Sequence, residues 1–376
     1  MRDALPALGV YVHWPYCARI CPYCDFNVYK TRAVDEAAWI EALTRDLEHW
    51  AARTPDRKLA SLYFGGGTPS LMPLAAVEAV IEACERLWGF LPDPEITMEA
   101  NPTDAEQSRF MSFATAGVNR LSLGVQSLRD EALRFLGRNH AADDARAAIE
   151  TAQNVFDRTT FDLIYARPGQ TLGDWREELE EALNFGVTHL SLYQLTIEPG
   201  TAFHVQVAAG RWTPASEAHC ADQFDLAQEA TAAAGLPAYE ISNHAAPGAR
   251  ARHNLLYWTY QDYIGVGPGA HGRVTAGGDR LATQMAARPE DYLKQDCAPQ
   301  TSPLSEDEQV MERFSFGLRL HDGMALDKDD VFFNRAGAKD ALDHLVGDGL
   351  LSWDGQTLNA TARGRRLLNA VLSALL

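Results

Sequence analysis

No stretch of the 376-residue sequence approaches the run of about 20 apolar residues that a membrane-spanning helix requires, so no membrane span is expected. The first residues, MRDALPALGVYVHW, hold no uninterrupted apolar core of a secretory leader, and no signal peptide is expected either. Basic residues are in short supply. Lys plus Arg number 33 against 51 Asp plus Glu, a formal net charge of −18. Non-specific nucleic-acid binding depends on cations that neutralise phosphates, so this balance argues against it. Neither an internal repeat nor a low-complexity tract is present. Cysteine is sparse, with six residues, and no two separated Cys or His pairs of the kind usual at structural zinc occur.

Three of the six cysteines stand together. In GVYVHWPYCARICPYCDFNVYK, Cys17, Cys21 and Cys24 are spaced C-x3-C-x2-C, and Pro15 and Pro22 keep the segment from continuing as regular helix. Three thiolates in a short loop can converge on one metal centre. A cubane iron–sulfur cluster normally takes four protein thiolates; three leave one iron open to a substrate. The residues alone also admit a Cys3His zinc site using His13, or a loop of unpaired cysteines. Trp14, Tyr16, Tyr23 and Phe26 flank the loop and are expected to screen it from water. Cys84 lies in an amphipathic helical pattern and reads as a small core residue; it, Cys220 and Cys297 receive no functional role. Such thiolates need a reducing compartment, and the cytoplasm is expected.

Apolar, β-rich runs recur through the first half of the chain: GVYVHW, SLYFGG, EITMEANP, RLSLGVQ, FDLIYA and HLSLYQL. Helical patterns separate them, over about 35–53, 73–88, 104–116, in one or two pieces between 130 and 155, and over 172–185. Strand–helix units in this succession mean a parallel sheet with right-handed crossovers. Six units are too few to close a (β/α)8 barrel. In barrels of parallel strands the chemistry sits at the carboxyl ends, and those ends carry suitable groups here. The cysteine loop follows the first strand. Gly65, Gly66, Gly67, Thr68 and Pro69 follow the second, where missing Cβ atoms would let a ligand approach the backbone; the pattern matches neither a P-loop nor a dinucleotide fingerprint. Glu99 ends the third strand, on the face of Thr97 and Asn101. Gln126 ends the fourth, with Arg138 and His140 a little beyond, and Asp162 opens DLIYARPGQT on the fifth.

After Leu195 the repeat stops. A Pro- and Gly-punctuated connection leads to a long amphipathic helix over about 215–235, then YEISNHA reads as a strand. ARHNLLYWTYQDYIGVGPGAHG suggests a loop and strand packed close to the barrel mouth. From about Pro303 come a helix, a second helix, a hairpin and a last helix, an order that resembles a winged helix. Twelve acidic against eight basic residues from Leu304 onward disfavour DNA binding. A packing or partner-docking unit is expected there.

The cysteine spacing, with aromatic Tyr23 just before the third cysteine, resembles the radical S-adenosylmethionine (radical SAM) superfamily. That resemblance implies an open (β/α)6 partial TIM-type barrel, a [4Fe–4S] cluster whose open iron chelates SAM, and reductive cleavage of SAM to a 5′-deoxyadenosyl radical. Longer stretches are similar to one family, the oxygen-independent coproporphyrinogen III oxidase relatives, and most of all to its heme-chaperone members: YVHWPYC, CPYCDFN, YFGGGTPS, MEANP, GVNRLSLGVQSL, LGRNH, DLIYARPGQT, LSLYQLTIEPGT, YEISNHA, RHNLLYW and YIGVGPGAH. Carried over by position, the resemblance assigns Cys17, Cys21 and Cys24 to the cluster. It assigns Tyr11, Gly66, Gly67, Thr68 and Glu99 to SAM, and Gln126, Arg138 and Asp162 to SAM or a neighbouring ligand. His253, Asn254, Tyr257 and Trp258 match an H-N-x-x-Y-W motif associated with heme, which makes His253 the candidate axial ligand, with Arg250 and Arg252 near the propionates. The chain departs from the family at Ala166 and Arg167, where Gly-Leu is usual, and at Ala251, where a cysteine is frequent.

These likenesses imply a heme chaperone that binds heme and hands it to acceptor proteins, possible respiratory and membrane-bound ones included, with flavodoxin or ferredoxin as electron donor. The alternative is a SAM-dependent oxidase that decarboxylates coproporphyrinogen III in porphyrin biosynthesis. The oxidases carry a fourth cysteine two positions after the third, where this chain has Phe26, and an extension ahead of the cysteine loop. The expected organisation is a barrel with the cluster loop over 1–215, a barrel-capping region over 216–302 and a winged-helix-like α+β unit over 303–376. The cluster assignment has a direct check. Replacing Cys17, Cys21 or Cys24 by alanine should abolish iron and sulfide incorporation in anaerobically reconstituted protein, whereas alanine at Cys84, Cys220 or Cys297 should leave it intact.

Overall fold

The computed structural model describes residues 6–30 and 33–376; the first five residues, part of the segment that argued against a leader, lie outside this range. The expected strands form in order: β1 (Leu8–Trp14), β2 (Leu59–Gly66), β3 (Phe90–Ala100), β4 (Arg120–Gln126), β5 (Arg158–Tyr165) and β6 (His189–Gln194). Between them run α1 (Glu36–Ala51), α2 (Leu74–Leu87), α3 (Asp104–Gln107), α4 (Phe110–Thr115), α5 (Asp130–Phe135), α6 (Ala142–Val155) and α7 (Leu172–Asn184). Asp35 caps α1 by accepting from the Ala38 amide, and Thr171 caps α7 with Asp174 answering back. The six strands pair in parallel in chain order. This is the open barrel of an α/β fold.

The sheet is larger than expected. A short strand, β7 (Asn243–Ala245), pairs antiparallel with β6, and β8 (Asp262–Val266) adds a seventh parallel strand on the free edge of β1. Beyond it β9 (His271–Ala276), β10 (Asp279–Gln284) and β11 (Gln300–Pro303) continue antiparallel, eleven strands in all among the described residues. Much of the 216–302 region therefore extends the barrel wall instead of covering its mouth. It also shares the barrel's apolar core, to which α9 (Glu217–Ala233) contributes Leu226 and Ala227 and the added strands Ile264, Val266 and Val274.

Strand alternation sorts the residues into two environments. Leu8, Val10, Val12 and Trp14 of β1, Leu62 and Phe64 of β2, Leu121, Leu123 and Val125 of β4 and Phe161 and Leu163 of β5 face the helices and are buried, packed with Trp39, Leu43, Leu47 and Trp50 of α1. The opposite face carries Tyr11, Tyr63, Glu95, Glu99, Arg120, Ser122, Asp162, His189 and Ser191. Barrel interiors are ordinarily filled by layers of branched apolar side chains. Here the interior is polar and aromatic, and its groups must find partners or serve a site.

The H-N-x-x-Y-W segment does not lie at the mouth. It forms a helix, α10 (Arg252–Trp258), whose His253 is hydrogen-bonded to Ser61 near the start of β2 and whose backbone N–H at His253 donates to Glu95. A Cβ on Gly9 of β1 would strike Leu256, Ser61 and His253 at 2.4, 2.8 and 3.3 Å, so only glycine leaves space for this helix at the barrel floor. The following GVGPGAH stretch does run to the mouth, where Asn27 of the cysteine loop donates to Pro268 O at 3.0 Å. From residue 306 onward a second apolar core forms among α11 (Glu306–Gly317), α12 (Ala338–Gly347), a hairpin and α13 (Leu368–Leu375). It is tied to the floor by Arg319, which pairs with buried Glu240 at 2.9 Å and lies over Trp258.

Asp262, fully buried at the start of β8, accepts from Arg57 at 2.6 Å, Arg280 at 2.7 Å and the Thr275 amide at 2.8 Å. One carboxylate thus bridges two buried guanidinium groups. Asp262→Ala should cost about 3–5 kcal/mol of stability, read as a lowered urea midpoint.

Candidate functional site

The cysteine loop and the glycine loop are sewn together. The Gly67 amide donates to Trp14 O at 2.7 Å, Thr68 to Tyr16 O at 3.0 Å, and Tyr29 to Pro15 O at 2.7 Å. This close contact between the loops requires the glycine run. A Cβ on Gly67 would meet Tyr16 O and Trp14 O at 2.8 and 2.9 Å; Gly66 has φ +105° and the His13 ring at 2.7 Å; a Cβ on Gly65 would meet Tyr11 and Tyr63. Both loops then face one cavity of about 550 Å³ inside the carboxyl end of the barrel.

That cavity gathers Cys17, Cys21, Cys24, Gly66, Gly67, Thr68, Glu99, Gln126, Arg138 and Asp162. Residues separated by up to 145 positions thus meet at one place. Burial pushes the Cys17 thiol up, against a hydrogen bond from Thr68, and pushes Cys24 up to about 11, so a metal must displace protons to bind. Among the described residues no three Cys, His, Asp or Glu side chains are grouped to hold a single metal ion. His13 is also committed, to Asn27 O at 2.9 Å and to Tyr11 Oη at 3.2 Å. Three cysteines of one loop facing one cavity are the donor type that an iron–sulfur cluster takes.

Arg138 reaches Cys21 Sγ at 3.4 Å and donates to Gly124 O at 2.7 Å and to Asn101, while its Nε has no partner. Asp162 accepts from Gln126 at 2.7 Å through one oxygen and leaves the other buried and unpaired. Buried unpaired groups on a cavity wall are the mark of a ligand site. Gln126 itself sits at φ +67°, a conformation costly for a side-chain-bearing residue. Glu99 accepts from Tyr63 Oη at 2.7 Å and from the Gly66 amide at 3.2 Å. Burial deep in the barrel, despite these donors, raises its carboxyl to about 7, and burial likewise raises Asp162 to about 6.

Several expectations are corrected. Tyr11 does not line the cavity; it lies below Gly65, stacked on Tyr63 at 6.1 Å. Phe26 does not shield the thiolates but stands 59% exposed at the rim, and Trp14 packs outward on Trp39. His253, Asn254, Tyr257 and Trp258 are absent from the cavity. His253 is 1% exposed with both ring nitrogens taken, by Ser61 at 2.8 Å and by Tyr257 Oη, so it offers no free nitrogen to an iron in this arrangement. Burial depresses it to about 3, keeping it neutral. Trp258 packs on Phe316 of α11 instead. The sequence did carry this signal: His253 and Tyr257 stand at i, i+4, the spacing of one helix face.

Other contributors were missed. Tyr63 aims Glu99. Arg167, at the first departure from the family pattern, is buried and pairs with Glu178, which also accepts from Ser127 and from the Leu128 amide at 2.8 Å. Together they brace the loop that follows Gln126. The neighbouring Ala166 holds φ +60°, where a glycine would be at ease.

A parallel barrel with three thiolates after its first strand and a polar cavity at the strand ends defines a radical SAM protein. The radical SAM superfamily profile matches residues 11–182. The chain is 38% identical over 384 residues to radical S-adenosyl methionine domain-containing protein 1, mitochondrial, of Bos taurus, spanning 98% of this chain and 87% of that one. It is 34% identical over 379 residues to the heme chaperone HemW of Escherichia coli, spanning 99% of each. In fold it is similar to coproporphyrinogen III oxidase HemN from Escherichia coli, with a TM-score of 0.81, 23% identity and coverage of 99% of this chain and 90% of that one. The chain belongs to the radical SAM superfamily and, within it, to the oxygen-independent coproporphyrinogen III oxidase-like family that includes HemW. Membership brings a [4Fe–4S] cluster and SAM as the family's cofactors. No helix among the described residues is long and apolar enough to cross a membrane.

Glu99 yields a pH test. Its folded value lies above the unfolded one, so its contribution to stability is complete below about pH 4.5 and is lost as pH rises toward 7. The urea midpoint of metal-free wild type should therefore fall more between pH 5 and 8 than that of Glu99→Gln. Parallel falls would show that the carboxyl titrates normally.

Proposed function

We propose that this chain is a heme chaperone: it takes heme as cargo and passes it to acceptor proteins, with SAM and a [4Fe–4S] cluster as resident cofactors. The observation that carries this reading is the 34% identity to the HemW of Escherichia coli over an alignment spanning 99% of the chain, joined to Phe26 in place of the oxidases' fourth cysteine. Cys17, Cys21 and Cys24 would hold the cluster. Gly66, Gly67, Thr68 and Glu99 would hold SAM, with Gln126, Arg138 and Asp162 supplying the unpaired groups for SAM or an adjoining ligand. When bound, the cluster supplies an electron for cleaving the sulfonium C–S bond of SAM.

The chain's own residues do the positioning. Glu99, ionised above about pH 7, is an acceptor for ligand hydroxyls while its bonds from Tyr63 and Gly66 fix its plane. Arg138 places a permanent positive charge beside Cys21 and the cavity, which favours an anionic ligand. Buried Tyr63 lines the inner part of the cavity. A reducing compartment suits the three thiolates. An electron carrier of flavodoxin or ferredoxin type and heme-acceptor proteins complete the proposed set of partners.

Heme titration of cluster-replete protein, followed by absorbance, should saturate at one heme per chain. Because His253 is internally bonded, His253→Ala should retain that stoichiometry and lose about 1–3 kcal/mol of stability. With SAM and reductant the protein should leave coproporphyrinogen III unchanged. Its conversion to protoporphyrinogen, or no heme bound at all, would overturn the proposal.

A further inference from the structure

The wall that carries the cysteines has two sides. Arg19, Ile20, Cys21 and Cys24 line the inner cavity and also an adjoining groove of about 460 Å³ between the cysteine loop, α5 and α8 (Ala202–Ala208). At no more than the thickness of that loop, this groove is where the outside of the protein reaches two of the three thiolates.

Its charge is opposite in sign to that of the chain as a whole. The whole chain carries a net charge of −18, yet the groove is lined by Arg19 and Arg134 and by no carboxylate. Both arginines are exposed, and the one bond that fixes Arg134 runs from its Nε to the backbone carbonyl of Asp130 at 3.2 Å. Between them stands Ile20, 47% exposed, and Val205 of α8 nearby is 65% exposed. Arginine beside bare aliphatic side chains is the composition of a protein-binding surface, not of a solvated face.

The base of the groove is rigid. Pro22 is clamped between Gly137, where a Cβ would approach its ring to 2.6 Å, and Phe203, whose amide donates to Pro22 O at 2.9 Å. Phe203 in turn stacks on Phe135 at 4.8 Å and meets Trp212 edge-on at 5.0 Å. This small apolar cluster holds the cysteine loop from outside, so a partner would meet a surface already in shape.

We propose that the Arg19–Arg134 groove is the docking surface for an acidic one-electron carrier protein, which delivers its electron through the Cys21–Cys24 wall. The inference rests on the reading that Cys17, Cys21 and Cys24 hold a redox-active cluster. The transfer balances simply: the carrier loses one electron, the cluster gains it, and no atom or proton moves. The net charge of −18 repels an acidic carrier at long range, so a cationic patch beside the thiolates favours a productive encounter there.

The test uses cluster-replete protein and two reductants in stopped flow, following the cluster absorbance. The probes are a reduced flavodoxin, a strongly acidic carrier, and dithionite, which needs no docking surface. Arg19→Glu/Arg134→Glu should slow reduction by flavodoxin about tenfold or more at low ionic strength while leaving the dithionite rate and the iron content unchanged. Added salt should slow the wild type and not the variant. A control pair with the same change of charge elsewhere, Arg86→Glu/Lys339→Glu, should behave as wild type. Equal flavodoxin rates in wild type and variant would overturn the docking surface while leaving the cluster reading intact. A wild type that takes up no iron, or whose cluster dithionite cannot reduce, would overturn the cluster reading and the docking surface with it.

Discussion

The cavity depends on the seam between two loops. Two backbone donors, at Gly67 and Thr68, join the glycine loop to the cysteine loop, and the seam closes because Gly65, Gly66 and Gly67 have no side chains to hold the loops apart. Everything at the strand ends is referred to that seam. Thr68 can then bond Cys17, the Gly66 amide can reach Glu99, and Arg138 can touch Cys21. A backbone constraint, rather than any one catalytic side chain, brings the metal-ligating loop into register with the cavity.

Below the cavity the barrel is filled by a column of rings. Tyr63, whose hydroxyl fixes Glu99, stacks on His253 at 4.9 Å; His253 meets Tyr257 edge-on at 5.0 Å, and Tyr257 meets Tyr263 at 4.4 Å. The column ends near Trp258, which Phe316 and Arg319 of the C-terminal unit hold. The ionisable groups buried this deeply are tolerable because they are paired: Ser61 with His253, Glu95 with Arg120, Asp262 with Arg57 and Arg280. A motif rich in histidine and aromatics thus serves as a structural plug at the far end of the barrel from the thiolates.

Much of this was legible in the sequence because it is written in short-range pattern. Recurring apolar, β-rich runs marked β1 through β6, and a strand-end rule brought Glu99, Gln126 and Asp162 to the site that the cysteine spacing announced. What was not legible depends on contacts distant in the chain. The pairing of β8 with β1 joins residues more than 250 positions apart, and nothing local in DYIGV distinguishes a wall strand from a cap. The depth of His253 depends on Gly9 and Ser61, so its residue type suggested a ligand where the packing makes a plug. Glycine permissiveness was recognised correctly, but what approaches the backbone at Gly66 and Gly67 is the protein's own loop. Phe26 and Trp14 were misjudged because proximity in sequence says nothing about which side of a loop a ring takes.

The account stands on three thiolates holding a cluster with one iron turned to the cavity. Mössbauer spectroscopy of protein reconstituted with 57Fe, before and after SAM is added, examines that iron directly. The account predicts four irons per chain, one of them distinct and altered by SAM. Stoichiometric zinc without iron, or four irons that all ignore SAM, would contradict it.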